Sequence, residues 1–256
     1  MFKALLWDVD GTLAETERDG HRVAFNQAFE ALGLPWRWDE ARYGELLRIT
    51  GGRERLLHDM ATRSDAPVLL DERMALARRL HEQKNRAYAG IVASGSITLR
   101  EGVLPILHQC RERGVRLGIV TTTSTANVQA LMAAHLGLPW RQWFDTVVCG
   151  EDTAQKKPHP EAYLRALAAL QLAPNETLAI EDSPGGAAAS HEAQIPFVVT
   201  RSAYFADDTI DGAVAVGPGL HQRAGWRPAA RGVQGPVDLD DLVDWHSRMD
   251  LVSCGA

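Results

Sequence analysis

This chain lacks long apolar runs, and its first residues lack the pattern of a leader peptide. No uninterrupted apolar stretch reaches the roughly 18 residues that a helix needs to cross a bilayer. The N-terminal residues pass directly into a strand-like run, without the basic, apolar and small-residue regions of a signal peptide. We therefore expect a cytoplasmic protein with no membrane partner.

Cysteine is also scarce. The 256 residues contain three cysteines, Cys110, Cys149 and Cys254, which lie far apart in the sequence. An odd number of scattered thiols indicates neither a disulfide framework nor a paired-thiol metal site. A reducing compartment fits this usage.

An excess of positive charge is the third feature that the chain does not have. Its formal net charge is −6, which argues against a nucleic-acid partner because such a partner requires a broad basic face. A small anionic molecule needs only a few local cations, so the charge does not exclude one. The length and the apolar fraction of 45% fit one globular domain with a smaller second one.

Short apolar runs alternate with helical patterns along much of the chain. Each run has the length of a strand and is almost continuously apolar, as expected for strands that are buried on both faces. The runs are residues 2–10, 115–123, 144–150, 177–183 and 195–200, and helical patterns cover 125–138 and 161–172. This alternation predicts an α/β fold with a Rossmann-like, doubly wound parallel sheet.

One segment breaks the alternation. Residues 16–95 show no strand pattern and are predicted to form helices over 17–34, 40–48, 53–63 and 71–90. We expect an all-helical cap domain over 16–95, inserted into a core formed by residues 1–15 and 96–256, with a closing helix over 237–249.

Polar side chains stand where four of the apolar segments end. The carboxyl ends of parallel strands meet at one edge of a sheet, so these groups are expected to converge in one crevice. They are Asp8 and Asp10, Thr121 to Thr123, Lys156 and Lys157, and Glu181 to Ser183.

Several carboxylates with no cluster of thiols or imidazoles favour a hard divalent cation, above all Mg²⁺. A metal ion with a lysine and hydroxyl donors also fits a phosphoryl group. One carboxylate can attack phosphorus and become an acyl phosphate, while the second moves protons.

Taken singly, each motif has a structural alternative. A solvated strand end or a helix cap would explain Asp8 with Asp10, and a surface position before a proline turn would explain Lys157. A turn rich in serine and threonine would explain residues 121–124, and capping of the next helix, by Ser183 in particular, would explain residues 181–183.

The motifs DVDGT (8–12), VTTT (120–123), KKP (156–158) and EDS (181–183), in this order, resemble those of the haloacid dehalogenase (HAD) superfamily over about residues 1–200. The resemblance implies that Asp8 is the nucleophile and Asp10 the general acid and then base. It implies that Thr121 and Thr122 bind phosphate and that Lys157 neutralises charge. The implied metal ligands are Asp8, Asp182, Glu181 directly or through water, and the backbone carbonyl of Asp10.

The helical insert resembles the cap of the branch that contains β-phosphoglucomutase and the CbbY-type sugar-bisphosphate phosphatases. This likeness suggests substrate contacts from Glu17, His21, Arg53 and Lys84, and Lys156 of the core could add a second phosphate contact. A solvated helix face explains His21, Arg53 and Lys84 equally well. A guanidinium such as that of Arg53 suits a second, distal phosphate.

The first 17 residues, together with VTTTS (120–124), QKKPHPEAY (155–163) and IEDSPGG (180–186), resemble the CbbY-type phosphatases of this branch. This resemblance implies a Mg²⁺-dependent phosphatase that acts on a sugar bisphosphate, in particular xylulose-1,5-bisphosphate, an inhibitor of Rubisco. We also expect a monomer. A sugar phosphate mutase that uses the same aspartyl-phosphate is the alternative enzyme. A phosphoacceptor receiver domain is the alternative of another class, although the first-strand position of Asp8 and the helical insert oppose it.

Overall fold

The protein was analysed as a computed structural model, which describes residues 1–248. Its sheet has six parallel strands in the order β3-β2-β1-β4-β5-β6. The strands are β1 (Ala4–Trp7), β2 (Arg116–Val120), β3 (Thr146–Val148), β4 (Thr177–Glu181), β5 (Phe197–Thr200) and β6 (Ala215–Gly217). The predicted Rossmann-like fold is confirmed. The sequence patterns missed β6, which has three residues.

Residues 1–248 also contain nine α-helices. They are α1 (Arg22–Ala31), α2 (Glu40–Leu46), α3 (Gly52–Ala61), α4 (Leu70–Ala93), α5 (Val103–Glu112), α6 (Thr125–Leu136), α7 (Glu161–Leu170), α8 (Pro184–Glu192) and α9 (Leu239–Ser247). The sequence patterns give no bounds for α5 or α8, although they allow a helix capped by Ser183 after the fourth apolar run, and Ser183 does cap α8. A π-helical turn, Glu17–His21, precedes α1. The predicted end of the closing helix at Met249 and the third cysteine, Cys254, lie outside the described residues. None of the described helices combines the length and the apolar character that spanning a bilayer requires.

Successive residues of each strand pack into different cores because side chains alternate across a sheet. Leu5 and Trp7 of β1 belong to the cluster that includes Leu107 of α5 and Trp245 of α9. Leu6 belongs to the cluster on the other face, with residues of α7 and α8. Both faces of the sheet are therefore covered, which explains why the strands read as continuous apolar runs.

Helices α1 to α4 have a buried cluster of their own. Aromatic side chains dominate it: Trp38 packs against Phe25 and Phe29 at centroid distances of 4.8 and 5.0 Å. The two chain segments that connect these helices to the sheet lie side by side, because Ala14 pairs with Leu99 and the N–H of Arg100 donates to the carbonyl of Leu13. The division into domains at residues 16 and 95 stays a prediction.

Candidate active site

The ends of β1, β2 and β4 bring their polar side chains to one edge of the sheet, together with the loop that carries Lys157. The ammonium group of Lys157 donates to Asp8 Oδ1 at 2.8 Å, to Glu181 Oε1 at 2.6 Å and to the carbonyl of Val120 at 2.7 Å. Burial disfavours the charged ammonium, but Asp8 and Glu181 outweigh this effect and raise the pKa of Lys157 above its ordinary value. Lys157 is thus a fixed cation inside the site.

Three carboxylates lie close together at this point, and Lys157 contacts two of them, Asp8 and Glu181. Oxygen atoms of Asp8, Glu181 and Asp182, all buried, lie within 4.8 Å of one another. Burial raises the pKa of Asp8 to about 8 despite the opposing effect of Lys157. Burial and the nearby Asp8 raise the pKa of Asp182 well above its ordinary range. One lysine therefore does not balance the negative charge that these groups carry when ionised.

The donor set fits a hard divalent cation. Glu181 Oε2 is buried and has no hydrogen-bond partner among residues 1–248. An orphaned carboxylate oxygen beside two further carboxylates is the kind of site that Mg²⁺ occupies. Asp8, Glu181 and Asp182 can therefore supply ligands to such an ion.

Asp10 faces a different environment from Asp8. Its Oδ1 atom accepts a hydrogen bond from the hydroxyl of Thr16 at 2.5 Å and lies 2.8 Å from Nε2 of His21. Although burial acts in the opposite direction, His21 and Thr16 hold the pKa of Asp10 well below its ordinary value. The His21 ring is itself buried and packs on Tyr88 at a centroid distance of 4.3 Å. The carboxylate of Asp10 is thus held outside the cluster of three.

Three polar residues that follow β2 make different contacts. Thr121 is buried, and its hydroxyl accepts a hydrogen bond from the backbone N–H of Thr123 at 3.2 Å. Thr122 lines the cavity that contains Asp8 and Lys157. Ser124 caps α6 by accepting from the N–H of Asn127.

Three cavities with shared walls run between the sheet edge and the helices α1 to α4. The catalytic cavity, about 150 Å³, contains Asp8, Lys157 and Asp182. A middle cavity of about 40 Å³ shares Asp10, Glu17, Arg55 and Thr122 with it. A distal cavity of about 140 Å³ shares Gly52, His81, Thr122 and Ser124 with the middle one. Thr122 lines all three.

Glu17 is held by two residues that sequence reasoning missed. Tyr43 donates its hydroxyl hydrogen to Glu17 Oε2 at 2.5 Å, and Arg55 donates to the same hydroxyl oxygen at 2.9 Å. Arg55 is buried, and its Nη1 atom is 3.9 Å from Glu17 Oε2. Both Glu17 and Arg55 line the catalytic cavity. The positive charge of Arg55 is therefore already engaged inside the protein.

Arg53 and Lys156, two predicted substrate contacts, line the distal cavity. Arg53 is exposed, and it makes no hydrogen bond or ion pair with any residue that the structure describes. Lys156 lies 3.6 Å from Glu54 and donates to the carbonyl of Gly150 at 3.3 Å. Arg53 is thus the cation of the distal cavity that has no ion pair among the described residues, whereas Lys156 is paired with Glu54.

Lys84, the fourth predicted contact from the helical insert, lines the middle cavity. It is buried, and its ammonium lies 5.4 and 5.3 Å from the ring centroids of Phe25 and Tyr88. Burial lowers its pKa to about 8, although Asp10 and Glu17 oppose the shift. The structure therefore places Glu17, His21, Arg53, Lys84 and Lys156 on or beside the same chain of cavities as the strand-end residues.

Comparison with known proteins gives consistent matches. A sequence model of the haloacid dehalogenase-like hydrolase family matches residues 2–194. The chain is 40% identical over 248 residues to "Protein CbbY, plasmid" of Cupriavidus necator, which covers 95% of this chain and 96% of the relative. It is 44% identical over 211 residues to protein CbbY of Rhodobacter capsulatus, covering 82% and 90% of the two chains.

A solved structure of CbbY from Rhodobacter sphaeroides, an aspartate-to-asparagine variant in complex with xylulose-1,5-bisphosphate, superposes with a TM-score of 0.83 at 34% identity. It covers 94% of this chain and 99% of that one. β-Phosphoglucomutase from Clostridium difficile superposes with a TM-score of 0.71 at 18% identity, covering 98% and 100%. The second likeness shows a shared fold alone.

Proposed function

The chain belongs to the haloacid dehalogenase-like hydrolase family and is a phosphatase, and from this premise we propose that it hydrolyses a sugar bisphosphate. The specific substrate that we propose is xylulose-1,5-bisphosphate. Relatives named CbbY match most of the chain, and one of them was solved with that compound bound. Membership of a hydrolase family also removes the reason to consider a receiver domain.

Asp8 is the proposed nucleophile. One of its carboxylate oxygens attacks phosphorus, the bond from phosphorus to the ester oxygen breaks, and Asp8 becomes an aspartyl-phosphate. Water then attacks the phosphorus of this intermediate and releases inorganic phosphate, which regenerates Asp8. Lys157, held 2.8 Å from Asp8 Oδ1, offsets the charge of the incoming phosphoryl oxygens.

Asp10 is the proposed acid and base. In the first step it gives a proton to the departing sugar oxygen, and in the second it takes one from the attacking water. The anionic form that His21 and Thr16 favour suits the second step. An anionic phosphate arriving beside Asp10 raises its carboxyl pKa, because like charges favour the neutral form, and this suits the first step.

The proposed cofactor is Mg²⁺, held by Asp8, Asp182 and Glu181 together with the backbone carbonyl of Asp10. When bound, the ion neutralises the crowded carboxylates and draws negative charge from the phosphoryl group. The orphaned Oε2 atom of Glu181 supports this assignment.

The preference for a substrate with two phosphates rests on one observation: cations stand at both ends of the connected cavities. Lys157 serves the reacting phosphate, while Arg53 and Lys156 line the far end. We assign the distal phosphate to Arg53 rather than to Arg55, because Arg55 is engaged with Tyr43 and Glu17 whereas Arg53 is unpaired among the described residues. A bidentate guanidinium matches phosphate geometry.

The variant Arg53→Ala tests this assignment. We expect its KM for a sugar bisphosphate to rise about 10- to 100-fold, the loss of about 1.5–3 kcal/mol of charged hydrogen bonding. Its KM for the matching monophosphate should change less than about two-fold, since that substrate has no group for Arg53 to bind. Steady-state phosphate release measures both constants.

The matched control is Arg79→Ala, which removes an exposed arginine from α4. This variant should leave both KM values unchanged. An equal loss of affinity for bisphosphate and monophosphate in Arg53→Ala would contradict the distal-phosphate role.

A further inference from the structure

Tyr163 lies directly behind the carboxylate cluster, and the reaction steps described above do not use it. It stands on α7, is fully buried, and donates its hydroxyl hydrogen to Glu181 Oε1 at 2.5 Å. Its ring also lies below the ammonium of Lys157, at 5.1 Å from the ring centroid. The hydroxyl therefore contacts a carboxylate of the cluster, although Tyr163 lines none of the three cavities.

The two oxygens of Glu181 have unequal surroundings. Oε1 accepts hydrogen bonds from both Tyr163 and Lys157, the latter at 2.6 Å. Oε2 has no partner among residues 1–248. The chain approaches Oε2 so closely at Gly186 that a Cβ atom there would lie 1.8 Å away. Oε1 thus accepts two hydrogen bonds, whereas Oε2, which lies close to Gly186, accepts none from the described residues.

We propose that Tyr163 is a positioning residue for the metal site, whose hydroxyl holds the carboxylate of Glu181 so that Oε2 is presented to a divalent cation. The terminal torsion of a glutamate is soft, so a single donor does not fix the plane of its carboxylate. Two donors on Oε1 do fix it. This inference rests on the proposed Mg²⁺ site, since it concerns a partner of one of that site's ligands.

Removing the hydroxyl should weaken metal binding without altering the chemistry at Asp8. Groups that orient metal ligands are typically worth about 10- to 100-fold in metal affinity. The variant Tyr163→Phe keeps the ring and its contact with Lys157, so it deletes only the hydrogen bond to Glu181. The matched control is Tyr204→Phe, because the hydroxyl of Tyr204 is buried and has no partner among the described residues.

The test is calorimetric titration of Mg²⁺ into the substrate-free, full-length protein, for wild type and both variants. We expect Tyr163→Phe to raise the Kd for Mg²⁺ about 10-fold and Tyr204→Phe to leave it unchanged. Thermal unfolding with and without Mg²⁺ gives a second measurement, in which the stabilisation by a fixed Mg²⁺ concentration is smaller for Tyr163→Phe.

Kinetics then separate positioning from chemistry. In Tyr163→Phe the Mg²⁺ concentration for half-maximal activity should rise with the Kd, while kcat at saturating Mg²⁺ returns to near the wild-type value. An unchanged Kd, an equal change in Tyr204→Phe, or a kcat that saturating Mg²⁺ does not restore would each overturn the inference. Failure of the wild type to bind Mg²⁺ would instead overturn the proposed cofactor.

Discussion

Asp8 and Asp10 are separated by one residue, yet the pKa values of their carboxyl groups shift in opposite directions. Burial raises the pKa of Asp8 to about 8, whereas His21 and Thr16, outweighing burial, lower that of Asp10. Both residues lie beyond the end of β1, where the chain leaves the strand, and their side chains meet different partners: Asp8 contacts Lys157, and Asp10 contacts His21. Paired carboxylates whose environments push their pKa values apart commonly take different roles in catalysis. A cation bound beside Asp8 would lower the pKa of that carboxyl again, because positive charge favours the ionised form.

Lys84 gives a prediction for the pH dependence of substrate binding. Burial lowers the pKa of its ammonium from 10.5 to about 8, so the middle cavity loses a positive charge as the pH rises through that value. Phosphate monoesters are already dianionic there, because their second pKa is about 6. We therefore expect KM to rise between about pH 7.5 and 9.

The variant Lys84→Gln isolates the origin of this rise. It should have a higher KM at pH 7 and a flat KM over the same interval, as measured by phosphate release in a constant-ionic-strength buffer series. If its KM rose with pH as steeply as in the wild type, the titration of another group would be responsible.

Among single residues, the strand-end groups could be predicted from the sequence because a motif fixes each of them to a turn. Tyr43, Arg55 and Tyr163 could not. Arg53 and Arg55 are two positions apart on one helix and therefore face different directions, and the sequence does not reveal which direction is the interior. In the sequence, Tyr163 looks like the other residues on the apolar face of α7. Only its hydrogen bond to Glu181, seen in the structure, distinguishes it from them.

At the scale of elements, Arg100 joins the loops that follow three strands. It donates to the carbonyl of Gly11 after β1, to the carbonyl of Arg201 after β5 at 2.6 Å, and to that of Pro218 after β6 at 3.4 Å. Its side chain is 14% exposed. The neighbouring Ser202 forms a hydrogen bond with Asp182. Arg100 therefore supports the loops on both sides of the carboxylate cluster.

Replacing Arg100 should destabilise the fold. Arg100→Gln leaves several carbonyls without their charged donor, which we expect to cost about 3 kcal/mol and to lower Tm by about 6–12 °C in a chain of this size. The control Arg113→Gln breaks an exposed ion pair with Asp240 and should cost at most about 1 kcal/mol. Differential scanning calorimetry compares the two variants, and equal Tm shifts would show that Arg100 stabilises the fold no more than an exposed ion pair does.

Strands could be predicted from the sequence where they lie in a long run of apolar residues. Strands β1, β2, β4 and β5 are buried on both faces and stood out as apolar runs. The bounds of helix α8 could not be predicted, because its first turn, Pro184 to Gly186, has the composition of a loop. Gly186 is required there by the close approach to Glu181 and not by helix propensity. Strands β3 and β6 have three residues each, but β3 lies within a longer apolar run, whereas β6 lies in a segment rich in glycine and proline and was missed.

At the scale of the whole molecule, the site is assembled from segments that are far apart in the sequence. Glu17, Arg53 and Lys84 come from the helices between β1 and β2, while Thr122 and Asp182 come from the sheet edge. Helices α1 to α4 pack around their own aromatic cluster, so they hold these side chains as a unit over the strand ends. This arrangement suits a substrate enclosed between two surfaces, from which water is largely excluded.

The most direct test of the account is phosphate release from a panel of sugar monophosphates and bisphosphates, with Mg²⁺ and with EDTA. The panel includes xylulose-1,5-bisphosphate, ribulose-1,5-bisphosphate and β-glucose-1-phosphate, and Asp8→Asn serves as the blank because an amide does not attack phosphorus. We expect strong Mg²⁺-dependent release from xylulose-1,5-bisphosphate and none from the blank. Conversion of a hexose monophosphate into its isomer without phosphate release, or activity of Asp8→Asn near that of the wild type, would contradict the account.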